Sequence, residues 1–169
     1  MNYIKHYLFT AIFFLTVLSA SAQNSQFKLE SIKAYMFYNA NNDSPNRQVI
    51  GTISENIIDK SDFWLWNTVI GEGAAEGASN QTLIVVDVKG IGNEYKTGII
   101  RLTCKTSEKI LLTQENEFSI FSADNKHSQA FLINNTGCEH LEIIAEVMSD
   151  NSKQIQDIMK KNVLFECGE

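Results

Sequence analysis

The stretch LEIIAEV, residues 141–147, decides the fold of this chain. Leu141, Ile143, Ala145 and Val147 fall at every second position, with Glu142 and Glu146 between them. Successive side chains of a β-strand point to opposite faces, so this alternation describes a strand with one face buried and the other in water. The same period recurs on both sides of it. In TLIVVDVKG (82–90), Ile84, Val86 and Val88 alternate with Leu83, Val85 and Asp87. In TGIIRLTC (97–104), Ile100, Leu102 and Cys104 form the more apolar face against Ile99, Arg101 and Thr103. EFSIF (117–121) offers Phe118 and Ile120, and NVLFEC (162–167) sets Val163, Phe165 and Cys167 together.

Further strands are expected at FKLESIKAYMFY (27–38), QVIGTI (48–53), FWLWNTVI (63–70), EKILLT (108–113) and QAFLIN (129–134). Turn-forming clusters separate them: NANNDSPN (39–46), KGIGNE (89–94), SADNKHS (122–128) and NNTG (134–137). The first of these stretches changes phase. Phe27 and Leu29 share one parity, and Ile32, Ala34 and Met36 the other, so a bulge or a switch between sheets is expected near Glu30-Ser31. Only NSKQIQDIMKK (151–161) has helical spacing, through Ile155, Ile158 and Met159, and it is expected to form a short connecting helix. Many short alternating strands without a long helical period describe an all-β chain. The expected architecture is an antiparallel β-sandwich of immunoglobulin-like type, with a jelly roll or an up-and-down barrel as the runner-up. The Cys–Trp–Cys order of true immunoglobulin domains is missing, since Trp64 and Trp66 precede all three cysteines.

The chain opens with MNYIKHYLFTAIFFLTVLSASAQ. Lys5 supplies a positive start, Tyr7 to Leu18 an apolar run, and Ala20-Ser21-Ala22 a small-x-small cleavage site. Residues 1–22 therefore read as a cleaved signal peptide, and 23–169 as a single domain that is secreted or periplasmic. The apolar run is short for a bilayer span, so no membrane insertion is expected. Loss of Lys5 takes the formal charge of the chain from −6 to −7. That acidic balance argues against nucleic acid, which demands clustered Lys and Arg.

An exported chain meets an oxidising compartment, where cysteines pair. Cys104 lies on the apolar face of its strand and reads as a small buried hydrophobe. Cys138 and Cys167 each stand beside a glycine near a strand end, and they are the expected disulfide. Closing that loop would contribute roughly 3–4 kcal/mol by loss of chain entropy in the unfolded state. A zinc site on Cys138, His140 and Cys167 is the competing reading, and it lacks a fourth protein ligand. No cofactor or metal is expected.

Two stretches qualify as binding sites. GEGAAEGASN (71–80) is rich in glycine, yet no lysine follows to meet a phosphate, and Glu72 and Glu76 would repel one. A strand rather than a helix comes next, which excludes a dinucleotide loop. Glu72 and Glu76 could offer oxygen to calcium, although the ladder of Asp residues typical of calcium loops is missing. The bland reading is an inter-strand loop. In DFWLWN (62–67), Trp64 and Trp66 share one face of a strand and could form a platform for a sugar ring or an apolar partner; burial in the core is the bland reading. Catalytic signatures are absent: there is no G-x-S-x-G elbow and no H-E-x-x-H. The expected function is non-enzymatic, an exported module that binds a protein or an envelope component. The alternative is a small-ligand module, taking carbohydrate through Trp64 and Trp66 or calcium through Glu72 and Glu76.

Overall fold

The computed structural model describes residues 25–38, 52–60, 64–66, 81–121, 125–136, 139–164 and 166–168. The expected signal peptide, the Gly71–Asn80 loop and Cys138 lie outside these residues. The long strands are β1 (Phe27–Tyr38), β4 (Gln81–Gly90), β5 (Lys96–Lys105), β6 (Ile110–Ile120), β7 (Lys126–Asn134), β8 (Leu141–Ser149) and β9 (Ile155–Val163). Three short ones complete the set: β2 (Thr52–Ile53), β3 (Trp64–Trp66) and β10 (Glu166–Gly168). No helix occurs among the described residues.

Two four-stranded antiparallel sheets, ordered β2-β1-β4-β7 and β6-β5-β8-β9, form the sandwich. With β1, β4 and β7 as strands A, B and E, and β6, β5, β8 and β9 as C′, C, F and G, this is the immunoglobulin-like arrangement. The chain crosses between sheets after β4, β6 and β7 and turns back within a sheet after β5 and β8. A separate parallel ribbon pairs β3 with β10, setting Leu65 beside Cys167. Backbone pairing therefore ties the C-terminal strand to the Trp64–Trp66 segment.

The core follows from the alternation. Ile84, Val86 and Val88 of β4 face Ile100, Leu102 and Cys104 of β5 and Leu141, Ile143, Ala145 and Val147 of β8, all buried. On β1 the phase change is a bulge: Leu29 pairs with Val88 and Ser31 with Asp87, so Glu30 has no opposite residue. One extra residue brings Ile32, Ala34 and Met36 onto the same buried face as Phe27 and Leu29.

Two expectations are corrected. EKILLT and EFSIF belong to one continuous edge strand, β6, whose polar middle sits at the open border of its sheet. More tellingly, the segment expected as a helix is strand β9. Met148 pairs with Ile155 and Val147 with Asp157, leaving Gln156 as a bulge. That extra residue turns Ile155 and Ile158 to the solvent face and Met159 to the core. A spacing of three and then one arises from a bulged strand here, and it imitates a helical period.

Candidate functional site

The B–C and F–G connections of an immunoglobulin-like sandwich emerge at the same end. In this chain they are the β4–β5 loop (91–95) and the β8–β9 turn (150–154), and between them lies a cleft of about 950 Å³. Ser25 and Gln26, at the entry to β1, close its third side.

Each wall is held from below. The backbone N–H of Ile91 donates to the carbonyl of Gln26 (2.8 Å), and that of Gly90 to the carbonyl of Asn125 (2.8 Å). The Asn125 side-chain amide donates to the carbonyl of Gly90 at 2.6 Å and also to that of Gly92. Asn125 itself has φ 54°, a left-handed conformation that asparagine tolerates better than most residues. Gly92 has φ 86°, which a side chain would strain. On the other wall, the Ser149 and Ser152 hydroxyls lie 2.5 Å apart, and the Lys153 N–H donates to the Ser149 carbonyl (2.9 Å). The Thr97 hydroxyl donates to the Asp150 carboxylate at 3.3 Å and joins the two walls.

Phe27, which follows Gln26 of the lining, is itself a core residue; it meets Phe118 edge-on at 5.0 Å, and His127 stacks on Phe118 at 5.0 Å. Gly98 lies beneath the Phe118 ring: a Cβ there would come within 2.8 Å of the ring and 2.9 Å of the Met148 carbonyl oxygen. The bulged β9 contributes Gln156 to the lining. The Gln156 side-chain oxygen accepts from the N–H groups of Gln26 (2.7 Å) and Phe27 (3.1 Å), and Asp157 accepts from Leu29 N–H (2.9 Å).

The lining is polar and only partly engaged. The side chains of Asn93, Glu94 and Asn151 make no hydrogen bond to any described residue, while the Lys96 ammonium donates to the Glu94 carbonyl (3.2 Å). On the rim, Tyr95 packs on Phe121 with ring centroids 4.6 Å apart; the two rings are 59% and 79% exposed. Folded proteins bury most of their aromatic surface, so a packed aromatic pair this open stands out.

None of the described residues that line this cleft was singled out as a site in the sequence. Trp64 and Trp66 have their backbone in β3, paired with Glu166 and Gly168 of β10. Glu72 and Glu76 lie outside the described residues. So does Cys138, and with it the expected pairing to Cys167. Cys104 is a free, buried cysteine, and burial pushes its thiol up to about 12. Among the described residues, no group of three or more His, Cys, Asp or Glu side chains could hold a metal ion. KGIGNE read as a turn and nothing more; the cleft appears only when 25–26, 91–97 and 149–156 converge.

No family model matches the chain. No curated protein matches it either. Among solved structures it is similar to a Bacteroides uniformis β-glucuronidase, at 12% identity and TM-score 0.41 over 48% of this chain and 11% of the enzyme. A Bifidobacterium dentium β-glucuronidase complexed with coumarin-3-O-glucuronide matches at 12% identity and TM-score 0.38, over 82% of this chain and 18% of the enzyme. The chain thus spans less than a fifth of either enzyme's length. The described chain is an all-β, two-sheet antiparallel sandwich, and its strand order assigns the architecture.

Proposed function

We propose that the chain is an exported, non-enzymatic binding module, and that it meets its partner, a protein or another component of the cell envelope, through the loop end of the sandwich. The observation that carries this reading is the cleft between the β4–β5 loop and the β8–β9 turn. Its walls are fixed by Asn125 and by the Thr97–Asp150 bond, while Asn93, Glu94 and Asn151 keep hydrogen-bonding capacity to offer. A cleft fixed in advance binds without the cost of ordering its walls. Loops on a rigid sandwich are a common place for binding function.

The test is site-directed photocrosslinking in the native host. A photoreactive residue replaces Asn151 at the cleft, or Lys109 in the β5–β6 turn at the opposite end of β5. Adducts from position 151 and none from position 109 are expected; equal adducts, or adducts from 109 alone, would place the contact elsewhere. The mass of the exported protein checks the processing. It should begin at Gln23.

A further inference from the structure

We infer that the loop-end cleft is a subsite for a neutral oligosaccharide, with Tyr95 and Phe121 as its stacking surface; the inference rests on the reading of that end as the binding surface. Three observations select this ligand class.

The first is charge. Among the described residues that line the cleft, Glu94 and Asp150 stand against a single ammonium, that of Lys96, which is engaged with the Glu94 carbonyl. Against these described residues a phosphate, a sulfated glycan or a uronic acid polymer would meet a net negative surface and find no guanidinium among them to pair with.

The second is the type of polar group. The Asn93 and Asn151 amides each carry donors and an acceptor, and the Glu94 carboxylate accepts. Vicinal hydroxyls are donor and acceptor at once and match such a set group for group. A peptide backbone offers one donor and one acceptor per residue, and its side chains seek apolar pockets.

The third is the rim. A pyranose ring has an apolar C–H face and a polar edge, so it is best served by an exposed aromatic face next to amides and carboxylates. Tyr95 belongs to the cleft lining, and Phe121 packs against its ring with centroids 4.6 Å apart and planes tilted by 38°. An aromatic held by a neighbour loses little side-chain freedom on binding.

The experiment presents the full-length exported protein to an array of neutral glucan, xylan, mannan and galactan oligosaccharides, with polygalacturonate and a sulfated glycosaminoglycan alongside. Any neutral oligosaccharide retained is then titrated by calorimetry and by ¹H–¹⁵N NMR. Retention of a neutral oligosaccharide is expected, with shifts confined to residues 25–26, 91–97, 121 and 149–156. Tyr95→Ala should weaken binding roughly 10–30-fold, the loss of one well-placed aromatic contact. Tyr95→Phe keeps the ring and should retain affinity to within about threefold, less than the loss of one hydrogen bond of average strength. Asn151→Ala tests the amide on the opposite wall, and Lys109→Ala serves as the silent control. Tyr95 is exposed, so its variants should fold, and circular dichroism checks this.

Retention of only the anionic glycans, or of none, overturns the inference. In that case crosslinks from position 151 still tell whether the loop end binds something else. Neutral oligosaccharide binding that maps away from the cleft, and survives Tyr95→Ala and Asn151→Ala, overturns both the inference and the reading beneath it.

Discussion

At the scale of single residues, burial and charge decide behaviour. Cys104 sits among apolar side chains, with its thiol pushed up to about 12 by burial. The thiolate is the reactive form, so Cys104 should resist alkylation in the folded protein and react once the chain unfolds. Denatured, unreduced protein should take one alkyl group if Cys138 and Cys167 are paired, and reduced protein three. Mass spectrometry reads both numbers, and three adducts without reductant would remove the disulfide. Asp87 behaves differently. Partial burial alone would raise its carboxyl, but hydrogen bonds from Lys33, Ser128 and Ser31, with the Lys33 charge, outweigh that and hold it below the ordinary range. The bonds are short: 2.7 Å from Lys33 and 2.6 Å from each serine. A carboxyl lowered on folding stabilises the protein above its unfolded value, near pH 4, and that contribution is lost as pH falls through the lower folded value. Lys33, raised by the same contact, loses its share only as pH climbs above 10.5. Asp87→Asn should therefore cost about 1–3 kcal/mol at neutral pH, mostly through the serine bonds, because the Lys33 partner is largely solvated. The gap between wild type and variant should close below about pH 4 in thermal melts. A gap independent of pH would show that the charge contributes nothing.

At the scale of elements, the strands with one wet face were legible in the sequence. In β4, β5 and β8 every residue assigned to the core by alternation is buried. The phase change of β1 near Glu30-Ser31 was legible too, because five apolar residues in two phases require a bulge or a switch between sheets, and the structure has the bulge. The bulge in β9 was not. There the inward positions include Asp157 and Lys161, whose polarity hides the strand, and the phase shift at Gln156 creates helical spacing. Local pattern carries no record that β8 waits alongside as a partner. Close approach of elements was equally silent. Gly98 looks like any glycine before an apolar run, but it is the place where β5 accepts the Phe118 ring. Gly98→Ala would push its Cβ against that ring and against the Met148 carbonyl, and the carbonyl belongs to a paired strand with little room to retreat. Overpacking of this kind should destabilise by about 1–3 kcal/mol. Urea unfolding should show a lower midpoint with an unchanged slope, and an unchanged midpoint would mean that the ring simply turns aside.

At the scale of the whole molecule, two sheets share one core, and the question is what closes their edges. An open strand edge presents unpaired N–H and C=O groups and invites pairing with another chain. The outer edge of β1 has β2 beside only Phe37 and Tyr38. Further along, Ser54 and Asn56 side chains accept from the N–H groups of Met36 and Ala34, each at 3.0 Å. At the cleft end the work falls to the other sheet, where Gln156 and Asp157 of β9 accept from Gln26, Phe27 and Leu29. The bulge that disguised β9 in the sequence therefore also delivers two adjacent acceptors to the edge of β1 and holds one wall of the cleft. This seam was illegible because it joins residues about 130 positions apart, with amide and carboxylate side chains that are ordinary on any surface. The double variant Gln156→Ala/Asp157→Ala should leave the core intact and open the seam. The amides of Phe27 and Leu29 should lose hydrogen-exchange protection while those of Ile100 and Ile143 keep theirs, a local opening below the global unfolding energy. Two lost acceptors, one of them charged, should lower stability by about 2–4 kcal/mol, less whatever water restores at the edge. Freed of its caps, the β1 edge should also promote self-association, visible in light scattering as the protein is concentrated. Protection at Phe27 and Leu29 equal to the wild type would mean that the core alone holds the two sheets in place, and that the β9 side chains are passengers on a sandwich already closed.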